Sequence, residues 1–264
     1  MSALAPFLDE TKALACVHCG LCLSSCPTYL ETGNENDSPR GRIYLMRAIQ
    51  SGQLAVDAAP VRHIDLCLGC RACETACPSG VPYGTLLEQT RDHIEKQYRR
   101  GLLQRLLRRL VIEQVFPFPW RLRLALLPVR VIRLLRLGFA LPKFAREMTE
   151  LLPRRLANGK LPLKRLAKGK ARGQVGFIEG CVMRVMFGDT NESSAELLHR
   201  DGWDVLTPRG QGCCGALYAH SGQLAKARDC ARRNIAAFEG QPLDAIVINA
   251  AGCGSTLVEY GELL

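Results

Sequence analysis

Between residues 38 and 52 the run SPRGRIYLMRAIQSG sets Ile43, Met46 and Ile49 three residues apart, with Ala48 beside them. Side chains three or four residues apart share one face of a helix, so the spacing predicts one here. Ser38 can cap it, Pro39 suits its first turn, and Gly52 marks its end. Residues 83–98, YGTLLEQTRDHIEKQY, predict another helix. GLLQRLLRRLVIEQV, from Gly101, puts Leu103, Leu106, Leu107 and Leu110 on one face, with Arg105, Arg108 and Arg109 elsewhere. FPFPW interrupts that pattern, and PVRVIRLLRLG resumes it with Arg130, Arg133 and Arg136 on one side. Residues 153–173 are basic and rich in Pro and Gly, and read as a linker.

From residue 174 the rhythm changes. QVGFIEG, WDVLTP and DAIVIN are short apolar runs that read as strands. TNESSAELLHRDG, SGQLAKARDCARRNIAAF and GSTLVEYGELL read as the helices that alternate with them. Such alternation predicts a parallel α/β sheet with right-handed crossovers. The expected organisation is α+β: a helical segment at 1–97, a basic helical bridge at 98–173 and an α/β domain at 174–264.

Charge sharpens the middle segment. Residues 98–173 hold 20 Lys and Arg against three Glu, while the rest of the chain holds 15 against 22 Asp and Glu. Three readings stand for the basic helices: they cover the core, lie on an anionic membrane face, or dock an acidic partner. Nucleic acid is not expected, because few aromatics interleave with the basic residues and no binding motif is present. No uninterrupted apolar stretch is long enough to span a bilayer.

Cysteine changes the picture most. There are 13, and eight fall in CVHCGLCLSSCP (16–27) and CLGCRACETACP (67–78), a repeat with a period of 51 residues. The start, MSALAPFLDETKAL, has neither the basic region nor the apolar run of a secretory signal, so a cytoplasmic protein is expected. Dense cysteines in that setting read as metal ligands rather than disulfides. Three thiolates spaced by two residues can wrap three corners of a cubane cluster. In two-cluster ferredoxins the fourth cysteine of each run serves the other cluster. The expected sets are therefore Cys16, Cys19, Cys22 and Cys77 for one [4Fe-4S] cluster, and Cys67, Cys70, Cys73 and Cys26 for the other. Pro27 and Pro78 then turn the chain away from the ligand. Structural zinc and disulfides are the competing readings.

Five cysteines lie outside the repeat. EGC (179–181), QGCCG (211–215) and NAAGCG (249–254) each follow an expected strand, where α/β sheets build their sites. Cys181, Cys213, Cys214 and Cys253 thus form a third candidate set. Cys230, inside an expected helix, reads as a packed thiol. His18, His63 and His220 read as supporting or surface groups. Arg40 and Arg42 read either as reaching a cluster's negative charge or as surface residues.

The tandem runs, the basic bridge and the G-C…C-C-G…G-C-G pattern together resemble the glycolate oxidase (glycolate dehydrogenase) iron–sulfur subunits. SPRGRIYLMRA and CLGCRACETACPSGVPYGTLLEQTRD carry the resemblance most strongly, and it covers essentially the whole chain. It extends to lactate-utilisation iron–sulfur proteins, the anaerobic glycerol-3-phosphate dehydrogenase small subunit and heterodisulfide reductase subunits. It implies an electron-transfer subunit with no catalytic residues of its own. A flavoprotein partner would oxidise a 2-hydroxy acid, and electrons would pass toward a membrane quinone at the cytoplasmic face. The alternatives are a heterodisulfide-reductase-like subunit with a catalytic cysteine-rich domain, a lactate-utilisation protein, and a non-redox zinc protein whose basic stretch binds nucleic acid. Two features depart from the heterodisulfide pattern. Ala250 replaces the first cysteine of a C-x-x-C, and the sequence reaches Leu264 after one cysteine-rich module where the family usually carries two, so either the protein is a shortened version or the sequence is part of a longer chain. A third cluster on the remaining cysteines is left open.

Overall fold

The computed structural model describes residues 6–136, 139, 141–150, 152–153 and 161–264. Contacts divide it into two compact units: residues up to 101 together with 218–224, and residues 102–217 together with 225–264.

The first unit is helical: α1 (Glu10–Leu14), α2 (Pro27–Thr32), α3 (Pro39–Gln50), α4 (Ala58–Asp65), α5 (Ala72–Thr75) and α6 (Tyr83–Gln97). The helices expected at 38–52 and 83–98 are α3 and α6. Ser38 caps α3, its Oγ accepting from Gly41 N at 2.9 Å. Residue 41 must lack a side chain, because a Cβ there would lie 2.0 Å from the Glu35 carbonyl oxygen. Ile43, Met46 and Ile49 are all buried, and Ile43 and Met46 pack with Ile64 of α4 and with Leu86 and Ile94 of α6. Each such buried side chain contributes about 1.5–3 kcal/mol. Cys16, Cys22, Cys67 and Cys77 pack against this same core, so the cysteine loops rest on a platform built by α3, α4 and α6. Beyond α6, Arg100 grips Asp65 through both Nη atoms and Glu95 through Nε.

The repeat is a repeat of backbone conformation as well as of cysteines. His18 (φ 56°) and Gly20 (φ 87°) are left-handed in the first run, and Gly69 (φ 65°) and Arg71 (φ 58°) are left-handed at the equivalent places in the second. Each run needs two such residues, and each spends its one glycine on a different one of the two.

The second unit holds a four-stranded sheet. Its strands are β1 (Lys164–Arg165), β2 (Gly173–Ile178), β3 (Trp203–Leu206) and β4 (Ala245–Ile248), in the order β1-β3-β2-β4. β2 is central and parallel to both neighbours, with Val175 opposite Val205 on one side and Ala245 on the other. These three are the expected strands. β1 is an addition: it pairs antiparallel with β3, Lys164 opposite Leu206, and makes the sheet mixed. It falls inside the expected linker, and at two residues it is too short to show alternation. Ion pairs hold it, Lys164 to Asp204 at 3.5 Å and Arg165 to Glu196 at 2.9 Å. Just before it, Leu161 is buried with Val175, Phe177 and Val205. Residues 154–160 of that expected linker lie outside the described residues.

Helices α7 (Leu102–Arg108), α8 (Pro119–Ala125), α9 (Leu127–Leu134) and α10 (Lys143–Glu150) precede the sheet. Helices α11 (Met183–Met186), α12 (Gly188–Arg200), α13 (Ala216–His220), α14 (Leu224–Phe238), α15 (Ala251–Val258) and α16 (Tyr260–Leu263) follow the strands. The single helix expected from residue 101 to 115 is instead α7 followed by a π-helical segment, Arg109–Val115. The wider turns deliver Val115 and Phe116 to a cluster with Leu122, Leu126 and Val185. The basic stretch therefore divides its labour. Leu122 and Leu126 cover the core of this unit, whereas Leu103, Leu106, Leu107 and Leu110 are all exposed. Among the described residues no helix is long and apolar enough to cross a membrane.

Candidate metal centres

In the first unit, Cys26 from the start of α2 meets Cys67, Cys70 and Cys73 from the second run around one cavity. The cavity encloses about 290 Å³ of atom-free space including its mouth, and Arg42 and Tyr83 form part of its wall. Three donors around it are aimed at sulfur. Arg42 Nη1 donates to Cys26 Sγ at 3.9 Å, Tyr83 Oη to Cys67 Sγ at 3.6 Å and Gly69 N to Cys67 Sγ at 3.4 Å. Burial pushes the Cys73 thiol up to about 12, with the neighbouring charge of Cys67 adding to it. A hollow lined by four thiols and N–H or O–H donors fits an iron–sulfur cluster, whose irons need thiolates and whose negative charge needs donors. Among the described residues no three His, Cys, Asp or Glu side chains converge closely enough to hold one metal ion. A four-iron cube does not require that, because each thiolate meets a different iron.

The other set is looser. Burial raises the Cys22 thiol, and the charges of Cys16 and Cys19 reinforce the shift, so these three sit within electrostatic reach. Cys19 is exposed. Cys77 Sγ accepts from Val81 N at 3.5 Å and packs on the same core as Cys16 and Cys22.

Arg42 and Arg40, two residues apart on α3, have different fates. Arg42 is 1% exposed: Nε donates to the His63 carbonyl at 2.8 Å and Nη2 to Thr28 Oγ1 at 3.0 Å. Asp37 lies 3.7 Å from Arg42 Nη2, and its Oδ1 meets His63 Nδ1 at 2.8 Å. Burial works to raise the Asp37 carboxyl, and the His63 and Arg42 contacts outweigh it and hold it low. Arg40 instead pairs with Glu35 at 2.7 Å and donates to the His18 carbonyl at 3.1 Å. Residues 218–224 also belong to this unit, which nothing in the sequence pattern signals. His220 Nδ1 meets Glu88 at 2.9 Å, and the His220 carbonyl accepts from Arg91, which also donates to the Cys67 carbonyl at 2.6 Å.

In the second unit the thiols touch one another. Cys181 Sγ donates to Cys213 Sγ at 3.5 Å, and Cys213 also shares hydrogen bonds with Cys214 and Cys230, while Cys214 shares one with Cys253. The hydrogen bond from Cys181, with those from Cys214 and Cys230, depresses the Cys213 thiol; the same bonds to Cys213 raise its three partners. Cys230 therefore belongs to this cluster rather than being a packed thiol apart from it. The signal was present: α14 follows the CCG loop, and Gly215 (φ 91°) brings that loop so close to α14 that a Cβ would sit 3.2 Å from the Cys230 Cβ.

Amides fix the three loops that carry these cysteines. Gln211 Oε1 accepts from Glu179 N at 2.9 Å, and its Nε2 donates to the Phe177 carbonyl at 3.0 Å. Asn234, 2% exposed, accepts from Gly212 N and donates to both the Cys213 carbonyl and Tyr260 Oη. Tyr260 Oη in turn donates to the Cys214 carbonyl at 2.7 Å. Asn249 Nδ2 donates to Asn191 Oδ1, and Asn191 Nδ2 to the Glu179 carbonyl. None of these residues was singled out from the sequence. All 13 cysteines are free of disulfides.

Comparison with known proteins finds a family match in each cysteine-rich region. Residues 12–81 match the 4Fe-4S dicluster domain family, which implies two clusters, and residues 175–258 match the Cysteine-rich domain family. A "Probable glycolate oxidase iron-sulfur subunit" of Bacillus subtilis is 40% identical, covering 97% of this chain and 61% of the relative. The "Glycolate oxidase iron-sulfur subunit" of Escherichia coli is 38% identical, covering 95% of this chain and 59% of the relative. The "Lactate utilization protein A" of Oceanobacillus iheyensis is 32% identical over only 31% of this chain and 33% of the relative. The chain spans about three fifths of the length of the two glycolate oxidase relatives. No solved structure matches it significantly. Over nearly its whole length the chain is a homologue of the glycolate oxidase iron–sulfur subunits, with a 4Fe-4S dicluster domain followed by a cysteine-rich domain.

Proposed function

We propose that this chain is an electron-transfer subunit of a flavin-dependent glycolate oxidase complex. Residues 1–97 are the electron-carrying domain, 98–173 the bridge and 174–264 the cysteine-rich domain. Cys16, Cys19, Cys22 and Cys77 hold one cluster, and Cys26, Cys67, Cys70 and Cys73 the other. Bound there, the two [4Fe-4S] clusters supply a pair of one-electron carriers. The observation that carries this reading is the cavity in which Cys26 of the first run faces Cys67, Cys70 and Cys73 of the second. Zinc has no use for such an exchange, since the four cysteines of a single run would complete its four ligands.

The chain's own residues have defined parts in this. α3 and α6 hold the loops at fixed separation, Arg42 and Tyr83 place donors on sulfur, and the core of Ile43, Met46 and Leu86 keeps water from one side. The substrate pocket and the flavin belong to a partner flavoprotein, so the chain alone does not oxidise glycolate. The extent of the glycolate oxidase matches, against a third of the chain for the lactate protein, favours glycolate as the partner's substrate. The exposed leucines of α7 among Arg105, Arg108 and Arg109 suit peripheral contact with an anionic membrane face, where a quinone acceptor resides. The five thiols of the second unit are linked pairwise through Cys213 and Cys214.

Iron, acid-labile sulfide and zinc counted per chain on anaerobically purified protein test this reading. About eight iron and eight sulfide are expected. Zinc without sulfide sinks it. Bleaching of the visible absorption by glycolate only when the flavoprotein is added tests the partner.

A further inference from the structure

The two sets of four cysteines are served unequally by the side chains around them. Resting on the reading that each set holds a cluster, we propose that Arg42 and Tyr83 make the Cys26, Cys67, Cys70 and Cys73 site the more oxidising of the two. An electron entering this chain therefore settles there.

Reduction adds one negative charge to a cluster and its thiolates. Hydrogen bonds to sulfur and a nearby cation stabilise that charge and raise the potential. Arg42 supplies both, with Nη1 3.9 Å from Cys26 Sγ on a side chain 1% exposed. Its other nitrogens are pinned, Nε on the His63 carbonyl and Nη2 on Thr28 Oγ1, so Nη1 has one direction to point. Tyr83 adds an O–H 3.6 Å from Cys67 Sγ, and its ring is buried in the core, which fixes the hydroxyl. Out of water, such donors are screened little.

Three effects oppose them. Burial disfavours added negative charge, Glu74 is within electrostatic reach of Cys73, and Asp37 lies 3.7 Å from Arg42 Nη2. Asp37 meets the guanidinium at Nη2, not at the Nη1 aimed at sulfur, and it also contacts His63. The donors act at the sulfurs themselves, so they prevail.

The other set has a weaker equivalent. Arg40 lies within electrostatic reach of Cys22, but it is more exposed and already engaged by Glu35 and the His18 carbonyl. The side chains seen to donate to sulfur, Arg42 and Tyr83, both serve the Cys26, Cys67, Cys70 and Cys73 set. Main-chain donors serve both sets, Val81 N on Cys77 and Arg40 N on Cys22 in one and Gly69 N on Cys67 in the other, so the difference rests on the side chains.

The test is a reductive titration of the full chain followed by electron paramagnetic resonance, after iron and sulfide are counted. Wild type is expected to reduce in two one-electron steps at least tenfold apart in equilibrium constant, about 59 mV. Arg42→Gln lowers the upper step alone by tenfold or more. Tyr83→Phe lowers the same step by less, and it carries the test if Arg42→Gln does not fold. Arg40→Gln leaves the upper step in place, and Cys19→Ser removes the lower one. Eight iron with coincident steps, or an upper step that neither Arg42→Gln nor Tyr83→Phe moves, overturns the proposal and leaves the two-cluster reading standing. A chain without iron overturns that reading and this proposal together.

Discussion

The two cysteine-rich regions of this molecule solve opposite problems. In the first unit four thiols stand around a hollow, and the groups between them are donors that point inward. In the second, five thiols have closed on one another and hydrogen-bond among themselves, with amide side chains locking the loops behind them. Cysteine count alone does not separate the cases. Spacing does: two residues between cysteines on a turning loop splay the sulfurs, whereas adjacent Cys213 and Cys214 beside α14 bring them together.

The largest expected effect comes from breaking the exchange between the two runs. Cys26→Ser should cut iron from about eight to about four per chain, although its own run keeps three cysteines. Cys253→Ser, in the closed set, should leave iron unchanged. Iron near twelve in the wild type would erase the contrast between the regions.

Next is the lock behind the closed set. Asn234→Ala strands the buried Cys213 carbonyl and Gly212 N–H, and should cost about 1–3 kcal/mol in urea unfolding of the full chain. An unchanged midpoint would mean that the loops hold themselves.

Smaller again is the comparison of the two runs with each other. His18 and Gly69 occupy equivalent left-handed positions. His18→Gly should stabilise and Gly69→Ala destabilise, each by about 1 kcal/mol in thermal unfolding. No atom lies within 4 Å of where a Cβ at residue 69 would sit, so its cost is purely conformational. Shifts of the same sign for both would refute the equivalence.

The smallest effect is in pH. Burial depresses His93, which stacks on Phe7 with ring centroids 3.9 Å apart. A histidine titrating lower when folded binds fewer protons than the unfolded chain, so stability falls as pH drops below about 6.5. The loss levels off once the pH is beneath the folded value. His93→Gln should flatten that part of the stability curve.

Much of this was legible from residue order. α3 and α6 followed from three- and four-residue spacing, with Ser38 at the cap, because a helix buries one face and the sequence must mark it. β2, β3 and β4 followed from short apolar runs between helices. β1 did not, because two basic residues held by Asp204 and Glu196 carry no apolar signature. The π-helical segment did not either: Leu110 and Val111 continue the ordinary helical pattern, and the wider turn depends on packing against Leu122 and Val185. Among site residues, the cysteines announced themselves. Arg42 was noticed but not distinguished from Arg40, since burial is a property of the fold.

What the sequence by itself determined is the chemistry: thirteen cysteines, two runs with ligand spacing, a basic bridge and a third cysteine pattern broken by Ala250. Those are covalent facts, and short-range geometry translates them directly. What only the tertiary structure decided is which groups meet across long stretches of chain. Cys26 faces Cys67, Arg42 turns inward while Arg40 turns out, Cys230 joins a set that spacing did not assign to it, and Asn234 binds Gly212, Cys213 and Tyr260 at once. Such meetings are set by core packing and by the need of every buried polar atom for a partner, and neither is local in the sequence.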